Sequence, residues 1–178
     1  MRKTILFIAM SLDGYISNEY GKVDWINGQN QNAENIDTYS TFIKDIDTVI
    51  MGWNTYNQII TELSPEKWVY SDLISYVITH RELSSTNNII FIKSNPSVII
   101  ENLKKKQGKN IWICGGANIV QQLMQDDLID EYHISVIPTI LGSGTRLFEK
   151  TLSEIKLELI NTQSYNGIIE LIYKHRSF

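Results

Sequence analysis

Short runs of apolar residues, separated by polar stretches, recur along the first two thirds of the chain. They show little alternation of apolar and polar positions, which is typical of strands that are buried on both faces of a sheet. The runs are TILFIAM (Thr4–Met10), TVIMG (Thr48–Gly52), SYVIT (Ser75–Thr79), NIIFIK (Asn88–Lys93) and IWIC (Ile111–Cys114).

The last third of the chain has a different pattern. EYHISVIPTI (Glu131–Ile140) alternates in part, and the runs IKLELINTQSY and GIIELIYKHR alternate more clearly. These last two runs meet at Asn166-Gly167, and an Asn-Gly pair between alternating runs is the strongest short-range signal of a hairpin. The sequence therefore predicts antiparallel strands at the C-terminal end.

Helical patterns lie between the apolar runs. The predicted segments are Asn32–Lys44, Asn54–Leu63, a segment from Pro96 that stops at Gly108, and Ala117–Gln125. The last of these places its apolar residues at spacings that suit packing on a sheet. The order of elements predicts a three-layer α/β/α fold, in which helices cover a mostly parallel central sheet with antiparallel C-terminal strands. We find no repeat or linker, and expect one domain over residues 1–178.

Composition narrows the classes of function. The 178 residues carry a net charge of −4, which argues against a nucleic-acid or membrane-surface partner, because both favour a basic face. One cysteine excludes a disulfide within the chain and a thiolate-rich metal site. The N-terminal apolar run meets Asp13 without a cleavage signal, and no run approaches the roughly 20 apolar residues of a membrane span. We expect a cytoplasmic protein with a small-molecule partner.

Polar and glycine residues follow the predicted strands at the edge where α/β sheets bind ligands. The stretches are AMSLDGYIS, MGWNTY, THRE and CGGAN. Gly52 and Gly115-Gly116 each precede a helical pattern, and free N–H groups at helix starts bind phosphate. The hydroxyl, imidazole and guanidinium groups of Thr79, His80 and Arg81 suit one more phosphate.

Each of these features also has a structural explanation. A glycine after a strand often serves only a turn, and Arg81 beside Glu82 is compatible with a solvated surface pair. Asp13 in SLDG can bond its own backbone beside Gly14 at positive φ, or can be a carboxylate at the ligand edge. Cys114 is expected to be a small buried residue and not a nucleophile.

Several enzyme classes lack their motifs in this chain. His80–Glu82 matches one half of the zinc deaminase signature, but the P-C-x-x-C half is absent. There is also no G-x-x-x-x-G-K-[ST], G-x-G-x-x-G or G-x-S-x-G. The sequence thus favours none of the zinc deaminases, Walker NTPases, standard Rossmann enzymes or α/β-hydrolases.

Taken in order, the motifs MSLDGYIS, DTVIMGWNTY, WICGGANIVQQLM and LIDEYHISVIPTILGSGTRLF resemble the dihydrofolate reductase-like superfamily. The most similar pattern is that of the reductase domain of bacterial riboflavin biosynthesis enzymes and its small stand-alone relatives, over nearly the whole chain. This resemblance implies an NADP(H)-dependent hydride transfer to a small heterocyclic substrate, as in 5-amino-6-(5-phosphoribosylamino)uracil reductase. It also implies a homodimer and a cis bond between Gly115 and Gly116.

The resemblance further implies a role for each candidate residue. Ala9 and Ile16 would hold the nicotinamide of the cofactor. The phosphate side would be lined by Gly52, Trp53, Asn54 and Thr55, and the 2′-phosphate would be surrounded by Thr79, His80 and Arg81. The pyrophosphate would be held by Gly115, Gly116, Ala117 and Asn118. Asp13 would be the catalytic polar group. The substrate side would include Trp25, Gly142 and Thr145.

Two departures from the pattern keep alternatives open. Dihydrofolate reductases often have Arg where this chain has Trp53, and Asp37 does not align with their carboxylate on the first helix. Dihydrofolate reduction proper and a non-catalytic NADP(H)-binding module therefore stand as the alternative hypotheses.

Overall fold

The sheet is built from strands whose bounds follow the predicted runs closely. A computed structural model describes residues 1–30, 32–33, 36–149 and 154–176. Its strands are β1 (Thr4–Ser11), β2 (Tyr15–Ser17), β3 (Ile46–Gly52), β4 (Ile74–Ile78), β5 (Ile89–Ile92), β6 (Asn110–Gly115), β7 (Glu131–Ile137), β8 (Thr145–Arg146), β9 (Leu157–Tyr165) and β10 (Ile168–His175). Its helices are α1 (Thr38–Phe42), α2 (Trp53–Gln58), α3 (Pro96–Lys104) and α4 (Ala117–Gln125).

Eight of the strands form one sheet in the order β5-β4-β3-β6-β1-β7-β10-β9. All pairs from β5 to β7 are parallel, whereas β10 is antiparallel to both β7 and β9. The prediction of a mostly parallel sheet with antiparallel C-terminal strands is confirmed. The carboxyl ends of β1, β3, β4 and β6 consequently meet along one edge.

Apolar residues form a separate core on each face of this sheet. On one face, α3 and α4 pack their apolar sides on Leu6, Ile50 and Ile113, all of which are fully buried. On the other face, Phe42 of α1 and the start of α2 pack around Val49, Met51 and Trp112. Helices therefore cover both faces, which confirms the three-layer prediction.

The Asn166-Gly167 pair forms the predicted hairpin turn. Asn166 has φ +47° and Gly167 has φ +78°, the left-handed conformations that a two-residue I′ turn requires at both positions. Tyr165 and Ile168 face each other directly across it.

The first helix is shorter than the predicted Asn32–Lys44. Asp37 accepts a hydrogen bond from the backbone N–H of Ser40 at 2.9 Å, and this cap starts α1 at Thr38. Residues 34 and 35 of the predicted segment lie outside the described residues, and a 3₁₀ turn follows α1 at Ile43–Asp45.

Two further differences concern short or irregular elements. The helix after β3 continues from α2 into a wider π-type turn at Ile59–Leu63. A small two-stranded sheet joins β2 to β8, and strands this short leave no periodic signal in a sequence. Within the described residues, no helix is long and apolar enough to cross a membrane.

Candidate functional site

A large cleft of about 1450 Å³ opens at the edge where the parallel strands end. Every residue that the resemblance assigns to the cofactor lines it, and so does Thr145 from the substrate set. The cofactor set comprises Ala9, Ile16, Gly52, Trp53, Asn54, Thr55, Thr79, His80, Arg81, Gly115, Gly116, Ala117 and Asn118. The fold thus brings these strand ends into one cleft, while the role of each residue stays a prediction.

The glycine pair lies at the centre of the cleft. The Gly115-Gly116 peptide bond is cis, as predicted. Gly116 precedes α4, and the N–H of Ile119 makes the first bond within the helix, to the Gly116 carbonyl at 3.0 Å. The N–H groups of Ala117 and Asn118 come before that bond, so no helical carbonyl accepts from them.

A second helix starts beside the glycine pair. A Cβ placed on Gly52, which precedes α2, would lie 3.9 Å from the Gly116 nitrogen. The Thr55 hydroxyl oxygen lies 3.6 Å from the position of a Cβ on Gly116. Because Gly52 and Gly116 have no side chain, a ligand can approach their backbone closely, next to the Thr55 hydroxyl, which can donate a hydrogen bond.

Basic side chains lie at the outer end of the cleft. The Arg81 guanidinium carbon lies 4.7 Å from the centroid of the Trp53 ring, a distance suited to cation–π attraction. The buried hydroxyl of Thr79 accepts a hydrogen bond from the Arg81 N–H at 3.1 Å. Trp53 thus provides a flat surface on which the Arg81 guanidinium packs. Among the described residues, no ion pair joins Arg81 to Glu82, the surface pair that was the alternative explanation of Arg81.

The cleft is also lined by residues that the sequence did not indicate, among them Lys93, Tyr70 and Gln58. Lys93 follows β5, and Tyr70 precedes β4. Gln58 of α2 donates a hydrogen bond to the Gly21 carbonyl at 2.9 Å and so ties the loop after β2 to the cleft. Lys93 could have been predicted from the sequence. It ends the apolar run NIIFIK, which is the next run after the one that ends at Thr79.

Asp13 is placed differently from the cofactor residues, because it does not line the cleft. Its carboxylate accepts hydrogen bonds from the Ser11 hydroxyl at 2.6 Å and from the backbone N–H groups of Gly142 at 2.7 Å and Leu141 at 3.1 Å. These bonds, that of Ser11 foremost, lower the pKa of Asp13 to about 2. The carboxylate is ionised near neutral pH and accepts hydrogen bonds there, so it has no proton to donate.

The loop held by Asp13 carries the predicted substrate residues Gly142 and Thr145. The Tyr15 hydroxyl donates to the Gly142 carbonyl at 3.3 Å, and the Arg146 guanidinium carbon lies 4.6 Å from the Tyr15 ring centroid. Thr145 pairs with Ser17 and lines the cleft, whereas Gly142 is not among the lining residues.

Trp25 lies on the loop after β2, at the border of the cleft. Its Nε1 donates to the Lys22 carbonyl at 3.1 Å, and its neighbours Val23 and Ile26 line the cleft. The structure therefore brings the Trp25 segment to the site, while the indole ring itself is not part of the lining.

Cys114 lines the cleft next to Tyr70, with 3.9 Å between the sulfur and the phenol oxygen. Burial raises the pKa of the Cys114 thiol to about 12. A thiol that stays protonated at neutral pH is a poor nucleophile, which agrees with the expected packing role.

The donor set of the cleft suits a dinucleotide phosphate. The helical N–H groups that precede the first bond of α4, together with bare glycine backbone, favour a pyrophosphate in the middle, and Arg81 with Lys93 favours an additional phosphate at the outer end. Thus the residues present fit NADP(H).

The chain belongs to the RibD C-terminal domain family, whose model matches residues 2–169. The mostly parallel sheet with antiparallel C-terminal strands, flanked by helices, agrees with the dihydrofolate reductase-like fold.

Three similar proteins can be compared with this chain. The Bacillus subtilis (strain 168) relative called uncharacterized protein YwjB is 39% identical over 175 residues, which cover 97% of each chain. A crystal structure from Shewanella sp. PV-4, provisionally named a riboflavin biosynthesis protein, is 30% identical with a TM-score of 0.83, covering 98% of this chain and 99% of that one. The Thermotoga maritima diaminohydroxyphosphoribosylaminopyrimidine deaminase/5-amino-6-(5-phosphoribosylamino)uracil reductase is 15% identical with a TM-score of 0.71, covering 98% of this chain and 57% of that one.

Proposed function

We propose that the protein is an NADPH-dependent reductase of a small heterocyclic substrate, similar to the reductase named in the Thermotoga maritima neighbour. The observation that carries the proposal is the meeting of Gly52 and Gly116 at two helix starts, with Arg81 at one end of the same cleft and Ala9 at the other. When bound, NADPH supplies the hydride, and the protein supplies orientation and electrostatics.

The centre of the cleft binds the pyrophosphate in this proposal. The N–H groups of Ala117 and Asn118 donate to phosphate oxygens, and the dipole of α4 adds attraction for negative charge. The Thr55 hydroxyl donates from the other side. Ala9 and Ile16 line the far end and orient the nicotinamide through their backbone groups.

The outer end of the cleft selects NADP(H) over NAD(H). Arg81 and Lys93 bind the 2′-phosphate, and stacking on Trp53 holds the Arg81 guanidinium in place. Many dihydrofolate reductases have an arginine where this chain has Trp53. In this proposal Arg81, at the end of the next strand, takes the role of that arginine.

Asp13 acts through the loop that it holds. Its carboxylate fixes Leu141 and Gly142, and the same loop leads to Thr145 at the cleft. We assign to Asp13 the placement of this substrate-side loop and no proton transfer, since its lowered pKa leaves it ionised.

A titration of the purified protein tests the cofactor assignment. Trp53 lies in the cleft, so NADPH is expected to quench tryptophan fluorescence, more strongly in the wild type than in Trp53→Phe. Loss of absorbance at 340 nm is then followed over a panel of pterins, pyrimidines and quinones. Absence of NADPH binding would reject the proposal, and binding without any turnover would favour a non-catalytic NADP(H)-binding module. Turnover of dihydrofolate would instead favour dihydrofolate reduction proper.

The homodimer is also a proposal, supported by the C-terminal edge of the sheet. β9 is the last strand of the sheet, and Leu159, Ile160 and Ile169 are 49%, 49% and 41% exposed there. An open strand edge beside exposed apolar side chains favours pairing with a second copy. Light scattering at several protein concentrations tests this, and a monomer at every concentration would reject it.

A further inference from the structure

The chain contains two Asn-Gly pairs, Asn27-Gly28 and Asn166-Gly167, and the fold brings them together. The first pair lies on the loop after β2, which spans residues 18–30, and the second forms the turn between β9 and β10. A Cβ placed on Gly28 would overlap the side-chain amide of Asn166. The loop and the turn are therefore in close contact, with no room for a side chain between them.

Hydrogen bonds join the Asn166 turn to the end of this loop. The Asn166 side-chain Oδ1 accepts from the backbone N–H of Asn30 at 2.9 Å, and its Nδ2 donates to the carbonyl of the same residue, also at 2.9 Å. The backbone carbonyl of Asn166 accepts from the Gln29 N–H at 2.9 Å. One residue of the loop thus holds both polar atoms of the Asn166 amide, which fixes the orientation of the amide plane.

An asparagine that precedes glycine deamidates readily, because glycine has no side chain to hinder attack by its backbone nitrogen. At this turn, the Gly167 nitrogen would lose its proton to base and attack the Cγ carbon of Asn166. The N–Cγ bond forms and the Cγ–Nδ2 bond breaks, and Nδ2 takes up a proton and leaves as ammonia. Water then opens the resulting succinimide at either carbonyl, which gives aspartate or isoaspartate.

The docked loop opposes this reaction at Asn166. The Cγ carbon can be attacked only when the amide plane turns toward the Gly167 nitrogen, which breaks both bonds to Asn30. Asn27 provides a contrast within the same chain. It is exposed, and its Nδ2 donates to the Asp24 carbonyl at 2.8 Å, inside its own loop. Deamidation of Asn27 therefore does not require the loop to leave the turn.

The products at position 166 no longer fit the docked loop. A carboxylate has no N–H to donate, so its second oxygen would face the Asn30 carbonyl oxygen. Isoaspartate also adds a methylene group to the backbone of the turn. The loop residues Gly21, Val23 and Ile26 line the cleft, and Gln58 still ties the Gly21 carbonyl to α2. Loss of the contact at the turn therefore frees one end of this wall of the cleft.

We propose that Asn166 is a deamidation site that the docked loop after β2 protects, and that its conversion to aspartate or isoaspartate releases this loop from the β9–β10 turn. The reaction needs only water and base. Each opening of the loop exposes Asn166 to attack, so the modification accumulates in proportion to the time that the loop spends open.

The first test compares the two asparagines in the same sample. The full chain is incubated at mildly alkaline pH, folded or in urea, and peptide mapping by mass spectrometry follows deamidation at each site. In urea the two sites should react at similar rates, since each precedes a glycine. In the folded protein Asn166 should react about a hundredfold more slowly than in urea, the effect of a few hydrogen bonds that must open first. Asn27 should be slowed much less.

Gly28→Ala is designed to open the loop without changing the Asn166-Gly167 pair. The Gly28 backbone is not in the left-handed region, so the added Cβ acts by contact alone, and it would lie 2.7 Å from the Asn166 carbonyl oxygen. Deamidation of Asn166 should become about tenfold faster or more. Glu19→Gln, at an exposed side chain of the same loop, is the control and should leave the rate unchanged.

A second variant keeps the test decisive if Gly28→Ala does not fold, which its urea unfolding curve shows. Gln58→Ala then replaces it, because it removes the bond to Gly21 at the other end of the loop. Deamidation of Asn166 should become about threefold faster in this variant.

Trypsin measures the release of the loop. Lys22 is exposed on the loop, and cleavage after it requires the chain to leave its folded position. Asn166→Asp reproduces the aspartate product and should speed cleavage at Lys22 about threefold or more. Asn27→Asp adds the same charge to the loop but keeps its contact with the turn, so cleavage should proceed at the wild-type rate.

The outcomes separate this proposal from the reductase proposal. Equal protection of Asn27 and Asn166 in the folded protein, or a rate at Asn166 that the loop-opening variant does not raise, overturns the protected site. Unchanged cleavage at Lys22 in Asn166→Asp overturns the release of the loop. None of these measurements uses NADPH, so a protein that shows the expected rates and yet does not bind NADPH supports the deamidation site and rejects the reductase.

Discussion

The Asp13 carboxylate accepts a hydrogen bond from the backbone N–H of Gly142 at 2.7 Å, which joins the turn after β1 to the loop before β8. Asp13→Asn replaces one accepting oxygen with an amino group, so it loses a bond to Gly142 or Ser11. We expect kcat/KM on a turned-over substrate to fall about tenfold, with NADPH affinity unchanged. Steady-state kinetics measure this effect, and Asp72→Asn, at an exposed carboxylate, is the control. An unchanged kcat/KM in Asp13→Asn would contradict the role of Asp13 in placing the substrate-side loop.

The same carboxylate predicts a pH dependence of folding stability. The pKa of Asp13 is lowered to about 2 in the folded state from an ordinary value of 3.8. Its contribution is therefore complete above the ordinary pKa and is lost as the pH falls through the folded value. The difference in unfolding midpoint between wild type and Asp13→Asn should stay constant from about pH 5 to 9 and shrink below about pH 4. A difference that changes near neutral pH would contradict this.

Arg81 on Trp53 predicts the preference between nicotinamide cofactors. Arg81→Ala removes the guanidinium that we assign to the 2′-phosphate, so the Kd for NADPH should rise about tenfold or more, while that for NADH should change little. Fluorescence titrations measure both. Arg176→Ala is the matched control, because Arg176 follows β10 at the opposite end of the sheet. Equal losses for the two cofactors would show that Arg81 does not contact the 2′-phosphate.

Local patterns in the sequence were sufficient to predict the sheet and to bring the candidate residues to one edge of it, while the binding of a cofactor there stays a prediction. The apolar runs buried on both faces correspond to the strands. The rule that α/β sheets bind ligands beyond the carboxyl ends of their strands predicts that Gly52, Thr79 and Gly115 lie together, and they line one cleft. The contact of Asp13 with Gly142 could not be predicted, because it joins two loops that are 129 positions apart.

The burial of charged side chains was the main feature that could not be predicted from the sequence. Arg2 is only 7% exposed and binds Asp47, the Thr48 hydroxyl and the Lys109 carbonyl, although it stands in the basic start of the chain. Glu170 is only 8% exposed and left a weak signal, since it lies between Ile168 and Ile172 at the period of a strand and so shares their face. Its hydrogen-bond donors come from α1, β7 and β9, which only the folded chain brings together.

Two glycines of the loop before β8 predict different effects of the same substitution. A Cβ on Gly144 would overlap the Ser17 carbonyl oxygen and lie 2.9 Å from the Asn18 carbonyl carbon, in backbone that cannot move aside. Gly144→Ala should therefore lower the free energy of unfolding by about 2 kcal/mol or more. Gly142→Ala is the control, because open space surrounds its Cβ position and only its φ of +75° opposes the change, by about 1 kcal/mol. Urea unfolding compares the two, and equal losses would refute the predicted contact.

The thiol of Cys114 predicts slow labelling of the folded protein. Burial raises its pKa to about 12, so almost no thiolate exists at pH 8, and the thiolate is the form that reacts. Ellman's reagent should therefore label the native protein far more slowly than the same protein in urea. Cys114 is the chain's only cysteine, so Cys114→Ala provides the blank for each measurement. Native labelling as fast as in urea would show that the sulfur is exposed to the cleft and ionised, and would reopen a reactive role for it.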